Sequence, residues 1–198
     1  MNYRKTAETL PRKAQTLNRE YYIDTEILNE EFSKIFMNSW ICVGRISEFT
    51  KKGKFKTVSV GKENIIILLD YENNLRAFYN VCRHRGTRIC TKRSGTFSKV
   101  IQCGYHGWTY NIVGELVGAP HMNKVVGFKK KKHHLHTVAI HEWEGFIFIN
   151  LHDNPENFNI FFKPIKNKFK QWNLSKLIPY KTKEYKVKGN WKLVVQNY

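Results

Sequence analysis

Between Trp40 and Asn150 the chain breaks into short apolar runs, and nowhere does a helical stretch long enough for a parallel crossover intervene. The runs are WICVGRI, FKTVSV, NIIILLD, LRAFYNV, KVIQC, WTYNI, ELVG, HTVAIHEW and FIFINL. Strands joined by short turns pair antiparallel, because a parallel neighbour needs a connection of about a dozen residues or more. The spacing therefore predicts a mainly β, antiparallel domain over residues 39–150. DYENN reads as a hairpin loop, since Asn73 and Asn74 tolerate left-handed backbone angles.

The flanks have a different texture. Residues 1–38 are predicted to form an arm and a helix: the first twenty or so show no period, and Asp24 then offers an N-cap, with Glu26 in the first turn. Ile27, Leu28, Phe32, Ile35 and Phe36 recur at helical spacing, which predicts an amphipathic helix over 25–38. Residues 151–198 read as a linker and the beginning of an incomplete α+β domain. There Pro164 breaks or kinks a helical stretch, YKTKEYKVKGN alternates like a Lys-rich edge strand, and NWKLVVQNY starts another helix.

Composition narrows the functional classes. A chain of 198 residues, 41% hydrophobic and 14% aromatic, has the make-up of a globular protein. No apolar run approaches the roughly 20 residues that span a bilayer, so no membrane partner is expected. The polar N-terminus lacks a signal-peptide core, which places the protein in the cytoplasm with its four cysteines reduced. The net charge of +18 is carried mostly by Lys beside plentiful Ile and Asn, as on a solvated surface. Its one dense run, FKKKKHHLH, is predicted to be an exposed loop, with an acidic redox partner as the functional alternative. No recognition helix or base-stacking motif appears, so nucleic acid is not an expected partner.

Two short stretches carry the chemistry. YNVCRHRGTRIC sets Cys82 two residues before His84, and IQCGYHGWTYN sets Cys103 three before His106. An extended Cys-x-His points both side chains one way, and a tight Cys-x-x-His turn makes them converge. Each loop then offers one sulfur and one imidazole. Zinc takes four such ligands in one tetrahedron. A Rieske-type [2Fe-2S] cluster takes both cysteines on one iron and both histidines on the other. Gly86, Gly104 and Gly107 let backbone approach an inorganic core, and the β context differs from that of a zinc finger, so the cluster is the favoured reading.

NVCRHRGTRIC and CGYHGWTYN resemble the Rieske domain of ring-hydroxylating oxygenase alpha subunits, and the similarity runs from about Ile35 to Tyr198. The resemblance implies that Cys82 and Cys103 hold the iron that stays ferric, and that His84 and His106 hold the iron that accepts the electron. It also implies a reductase or ferredoxin donor, a homotrimer, and a mononuclear Fe(II) in a C-terminal domain. Such an iron takes two His and one carboxylate. In the family those ligands follow the NWKLVVQNY segment, where this chain ends, so the chain is expected to lack them. GAPHM and NWKL point to the demethylating and amine-oxidising branch. Thr87 and Tyr105 stand near the positions where cytochrome bc-type Rieske proteins carry extra cysteines, and Gln196 stands where many members have Glu. A free-standing Rieske ferredoxin is the alternative function. Among other residues, Cys42 and Cys90 are expected to be buried apolar side chains, Trp40, Trp143, Trp172 and Trp191 packing anchors, and Trp108 a shield for the cluster.

Overall fold

The computed structural model describes residues 13–197. Among the described residues, ten strands form three antiparallel sheets. The middle sheet orders β4 (Leu75–Tyr79), β3 (Glu63–Leu69), β2 (Lys54–Val60) and β5 (Ser94–Thr96). A second joins β1 (Ile41–Arg45), β10 (Phe146–Asn150) and β9 (Ala139–Trp143). The third joins β6 (Val100–Gln102), β7 (Thr109–Asn111) and β8 (Leu116–Gly118).

β3 explains the layering. Its apolar run is continuous rather than alternating, and from Ile65 to Leu69 every residue is buried. Side chains alternate across a strand, so a run of this kind needs a core on each side. Ile66 and Leu68 join Phe55 and Phe78 in one core, which also contains Cys82, Cys103, Trp108 and Tyr110. Ile65, Ile67 and Leu69 join Ile147 and Ile149 of β10 in the other. Each fully buried Ile or Leu contributes about 1.5–3 kcal/mol of hydrophobic stabilisation, so β3 is the spine of the domain.

At the N-terminal flank, helix α1 (Glu20–Ile23) precedes α2 (Thr25–Glu31). Asp24 caps α2 as predicted, accepting from the Glu26 and Ile27 N–H groups at 2.7 and 3.3 Å. The expected helix over 25–38 does not stay α-helical. From Phe32 to Phe36 it widens into a π-turn, closed by Met37 N–H to Phe32 O at 3.0 Å. In that register Phe32, Phe36 and Met37 all pack on the second core.

Beyond β10, the turns α3 (Phe158–Phe161) and α4 (Lys163–Lys166) meet where Pro164 opens the second, so the helical stretch is interrupted there. Phe158 and Phe162 pack with Phe148, Trp40 and Trp143 in a separate aromatic cluster. The predicted edge strand at 180–190 is absent: these residues are irregular and almost all exposed. Alternation alone does not make a strand when no neighbour offers a hydrogen-bond ladder and neither face is buried. Helix α5 (Trp191–Gln196) does form, capped by Asn190. Its Lys192 meets Glu31 at 2.6 Å, and Trp191 Nε1 donates to the same carboxylate at 2.9 Å. Helices α2 and α5 are thereby tied together. Among the described residues no helix is long and apolar enough to cross a membrane.

Candidate metal centre

The two Cys/His segments fold into loops of the same construction. In the first, the Cys82 N–H donates to Thr87 O at 2.8 Å and the Gly86 N–H to Cys82 O at 3.0 Å. In the second, the Cys103 N–H donates to Trp108 O at 2.8 Å and the Gly107 N–H to Cys103 O at 3.1 Å. Both glycines stand four residues after the cysteine, with φ of 71° and 70°, where other residues are strained. The first loop follows β4 and the second links β6 to β7, so the sheets present them to one another.

Like meets like in the space between the loops. Cys82 and Cys103 are buried on the inner side. His84 and His106 lie outward, with His106 exposed and their Nδ1 atoms 3.1 Å apart. The arrangement is therefore a thiol pair behind an imidazole pair. Among the described residues, no three His, Cys, Asp or Glu side chains gather as ligands of one ion. A two-ended set suits a binuclear cluster whose irons take different ligands better than it suits a single tetrahedral ion.

The surroundings favour that use. Burial lowers the pKa of His84, and nearby His106 and Arg85 lower it further, so its imidazole is neutral at pH 7, the form that ligates a metal. Burial raises the Cys82 thiol, an effect opposed by the Tyr110 hydroxyl and reinforced by Cys103. Tyr110 itself is fully buried, and burial pushes its hydroxyl well above its usual value, so it stays protonated. Its oxygen accepts the Arg83 N–H at 3.0 Å and lies 3.4 Å from Cys82 Sγ, a contact in which the phenol is the donor whenever the thiol is ionised.

Trp108 is buried and stacks on His84, with ring centroids 4.8 Å apart and planes at 14°. The prediction that it shields the site fits this position. Its Nε1 is a buried donor with no acceptor in the protein, a cost that an electron-rich group in the site would relieve.

Asn80 was not singled out in the sequence. Its Oδ1 accepts from the Ile89 and Cys90 N–H groups at 3.1 and 2.8 Å, and its Nδ2 donates to Cys90 O and to Asn64 Oδ1 at 2.6 and 2.7 Å. It clamps the two ends of the first loop. The signal was an amide placed two residues before Cys82 at the end of an apolar strand.

Other expectations fare unevenly. Cys90 is buried, whereas Cys42 is exposed, because it lies on the outward face of β1 beside a bulge. Trp40, Trp143 and Trp191 pack as anchors, but Trp172 is 48% exposed. His136, His152 and Asp153 line a surface hollow, where the His136 ring is engaged by Arg83.

Residues 39–135 match the family described as Rieske [2Fe-2S] domain. The glycine betaine monooxygenase oxygenase subunit of Chromohalobacter salexigens is 32% identical over 182 residues, 92% of this chain and 40% of that protein. The carnitine monooxygenase oxygenase subunit of Acinetobacter baumannii is 37% identical over 144 residues, 73% of this chain and 38% of that protein. The solved apo structure of the quaternary ammonium Rieske monooxygenase CntA superposes with a TM-score of 0.87 at 32% identity, covering 92% of this chain and 53% of that one. The chain thus spans about two fifths to one half of the length of these relatives. With paired loops, thiols set behind imidazoles and these relatives in agreement, the chain belongs to the Rieske [2Fe-2S] family through residues 39–135 and is a homologue of the oxygenase alpha subunits over part of their length.

Proposed function

We propose that Cys82 and Cys103 ligate one iron of a Rieske [2Fe-2S] cluster, that His84 and His106 ligate the other, and that this portion of the protein relays electrons within a Rieske oxygenase. The observation that carries the ligand assignment is the pairing itself, buried thiols behind outward imidazoles whose Nδ1 atoms lie 3.1 Å apart. When bound, such a cluster takes up and gives off one electron at a time. The protein supplies the rest. Tyr110 donates toward Cys82, Trp108 excludes water from the His84 side, and exposed His106 brings one ligand to the surface, where an electron can pass.

In this reading residues 39–150 form the Rieske domain, and the electrons come from a reductase or ferredoxin. They go to a mononuclear iron held by a catalytic domain, in a cytoplasmic homo-oligomer, with a trimer as the form usual in the family. The names of the relatives point to a quaternary ammonium substrate for the whole protein. Exposed Ile178, Tyr180 and Val187 in the segment before α5 suit a surface that packs on further protein, which favours an oxygenase subunit over a free carrier.

The test is to isolate the protein anaerobically and assay metal and sulfide. About two irons and two acid-labile sulfides per chain are expected. His106→Ala should lose the iron and His134→Ala should keep it. One zinc per chain with no sulfide would reject the proposal.

A further inference from the structure

The net positive charge of this chain is concentrated in the stretch of sequence that carries the site. From Asn73 to His141 there are twelve Lys or Arg and a single acid, Glu115, whereas the rest of the chain has 22 Lys or Arg against 15 acids. A general excess of Lys would not strip acids from one segment alone. Among the described residues, Arg85, Arg88, Lys124 and Lys129–Lys132 make no ion pair with an acid, and all of them are exposed.

The densest part is built onto the site. Lys130 heads a short 3-10 turn, and its Nζ donates to Val117 O at 2.8 Å. On either side of the four lysines, Phe128 and His133 pack edge-on against Trp108, with centroids at 5.7 and 5.6 Å. Trp108 in turn stacks on His84. The lysines thus stand on an ordered rim two side chains from a proposed ligand. On the outward side Tyr105, 59% exposed, lies against His106, with ring centroids 3.8 Å apart. An exposed aromatic spot with a charged surround is the anatomy of a protein docking face.

We infer that this face, centred on Tyr105 and His106 and rimmed by Lys129–Lys132 and Arg85, docks an acidic one-electron donor protein. The inference rests on the Rieske reading of the site, for which it names the partner's chemistry. In the step itself the donor loses one electron and the iron pair held by this chain gains it, with no bond made or broken. A second copy of this chain is a poorer occupant, since it too carries a large positive charge. Opposite charges across such a face act mainly on the rate of encounter and are screened by salt.

The test uses the cluster-loaded chain with a reduced acidic plant-type [2Fe–2S] ferredoxin as the probe donor, followed by stopped flow. The bimolecular rate should fall about tenfold between roughly 20 and 300 mM salt. A loop variant, Lys129→Glu with Lys131→Glu and Lys132→Glu, keeps Lys130 and its anchoring bond. It should lose about tenfold in rate at low salt, yet reach full reduction with dithionite. A control with the same charge change, Lys181→Glu with Lys183→Glu and Lys186→Glu, should stay within twofold of the parent. Calorimetric titration of oxidised ferredoxin into the metal-free chain reads docking without electron transfer, and the loop variant should lose that binding too.

An unchanged loop variant, or equal losses in both variants, would overturn the docking inference. So would loss of affinity for random-sequence duplex DNA in the loop variant with the donor rate intact, which would make the rim a nucleic-acid surface. A preparation that never takes up iron and sulfide would overturn the site reading instead, while the calorimetric arm still decides docking.

Discussion

Tyr110 and Cys82, 28 residues apart in sequence, meet in the buried core with the phenol oxygen 3.4 Å from the thiol sulfur. The phenol oxygen also accepts the Arg83 N–H, and with Cys82 ionised as a ligand only the phenol has a proton to donate across the contact. A hydrogen bond to a ligating sulfur stabilises the more electron-rich, reduced state. Tyr110→Phe should therefore lower the reduction potential of the loaded protein. A bond worth about 1 kcal/mol corresponds to about 40–50 mV for one electron. Potentiometric titration of the two proteins side by side measures it, and an equal or higher potential in the variant would contradict the assignment.

Trp108 has two separable roles, packing and hydrogen-bond donation. Trp108→Ala removes a side chain buried against His84 and Phe128, at an expected cost of about 3–5 kcal/mol in unfolding free energy. Trp108→Phe keeps a stacking ring and removes the unpartnered Nε1 donor. Denaturant unfolding should show Phe to be much the milder change. If the two variants lose the same stability, the indole is not packing as described.

Asn80 holds the first loop shut through four hydrogen bonds, at a position only 1% exposed. Asn80→Ala strands the Ile89 and Cys90 N–H groups and the Cys90 carbonyl in the core. The expected loss is roughly 2–4 kcal/mol, with weakened iron retention, because buried groups without partners cost about 1–3 kcal/mol each after partial relaxation. Amide exchange at Cys90 should speed up in the variant, and protection equal to that of the parent would argue against the clamp.

The link between α2 and α5 should respond to acid. Burial alone would raise the Glu31 pKa, but hydrogen bonds from Lys192 and Trp191 outweigh it and hold the carboxyl below its ordinary value. A carboxylate depressed in the folded state stabilises fully above its unfolded pKa, and that stabilisation is lost as pH falls through the folded value. The helix pair should thus be intact at pH 6 and loosen below about pH 4. Lys192→Met leaves the nearly buried Glu31 charge without its cation and should cost about 3 kcal/mol at neutral pH. Trp191 fluorescence followed against pH reports both effects. A Lys192→Met protein as stable as its parent would show that the pair contributes little.

The sequence by itself determined what depends on neighbours along the chain. The Cys-x-His and Cys-x-x-His spacings, each with a glycine four residues after the cysteine, specify two loops closed by their own backbone hydrogen bonds. The Asp24 cap and the strand runs were legible for the same reason, since both follow from local periodicity and capping. Tertiary structure decided whatever needs a distant partner. It gave β3 a core on each face, brought Tyr110 to Cys82 and Trp108 to His84, and paired Glu31 with Lys192 across 161 residues. It also left the alternating 180–190 segment without a strand to pair with. A side chain's burial, and therefore the hydrogen bonds it must make and the pKa it adopts, depends on which remote elements cover it, and no spacing along the chain encodes that.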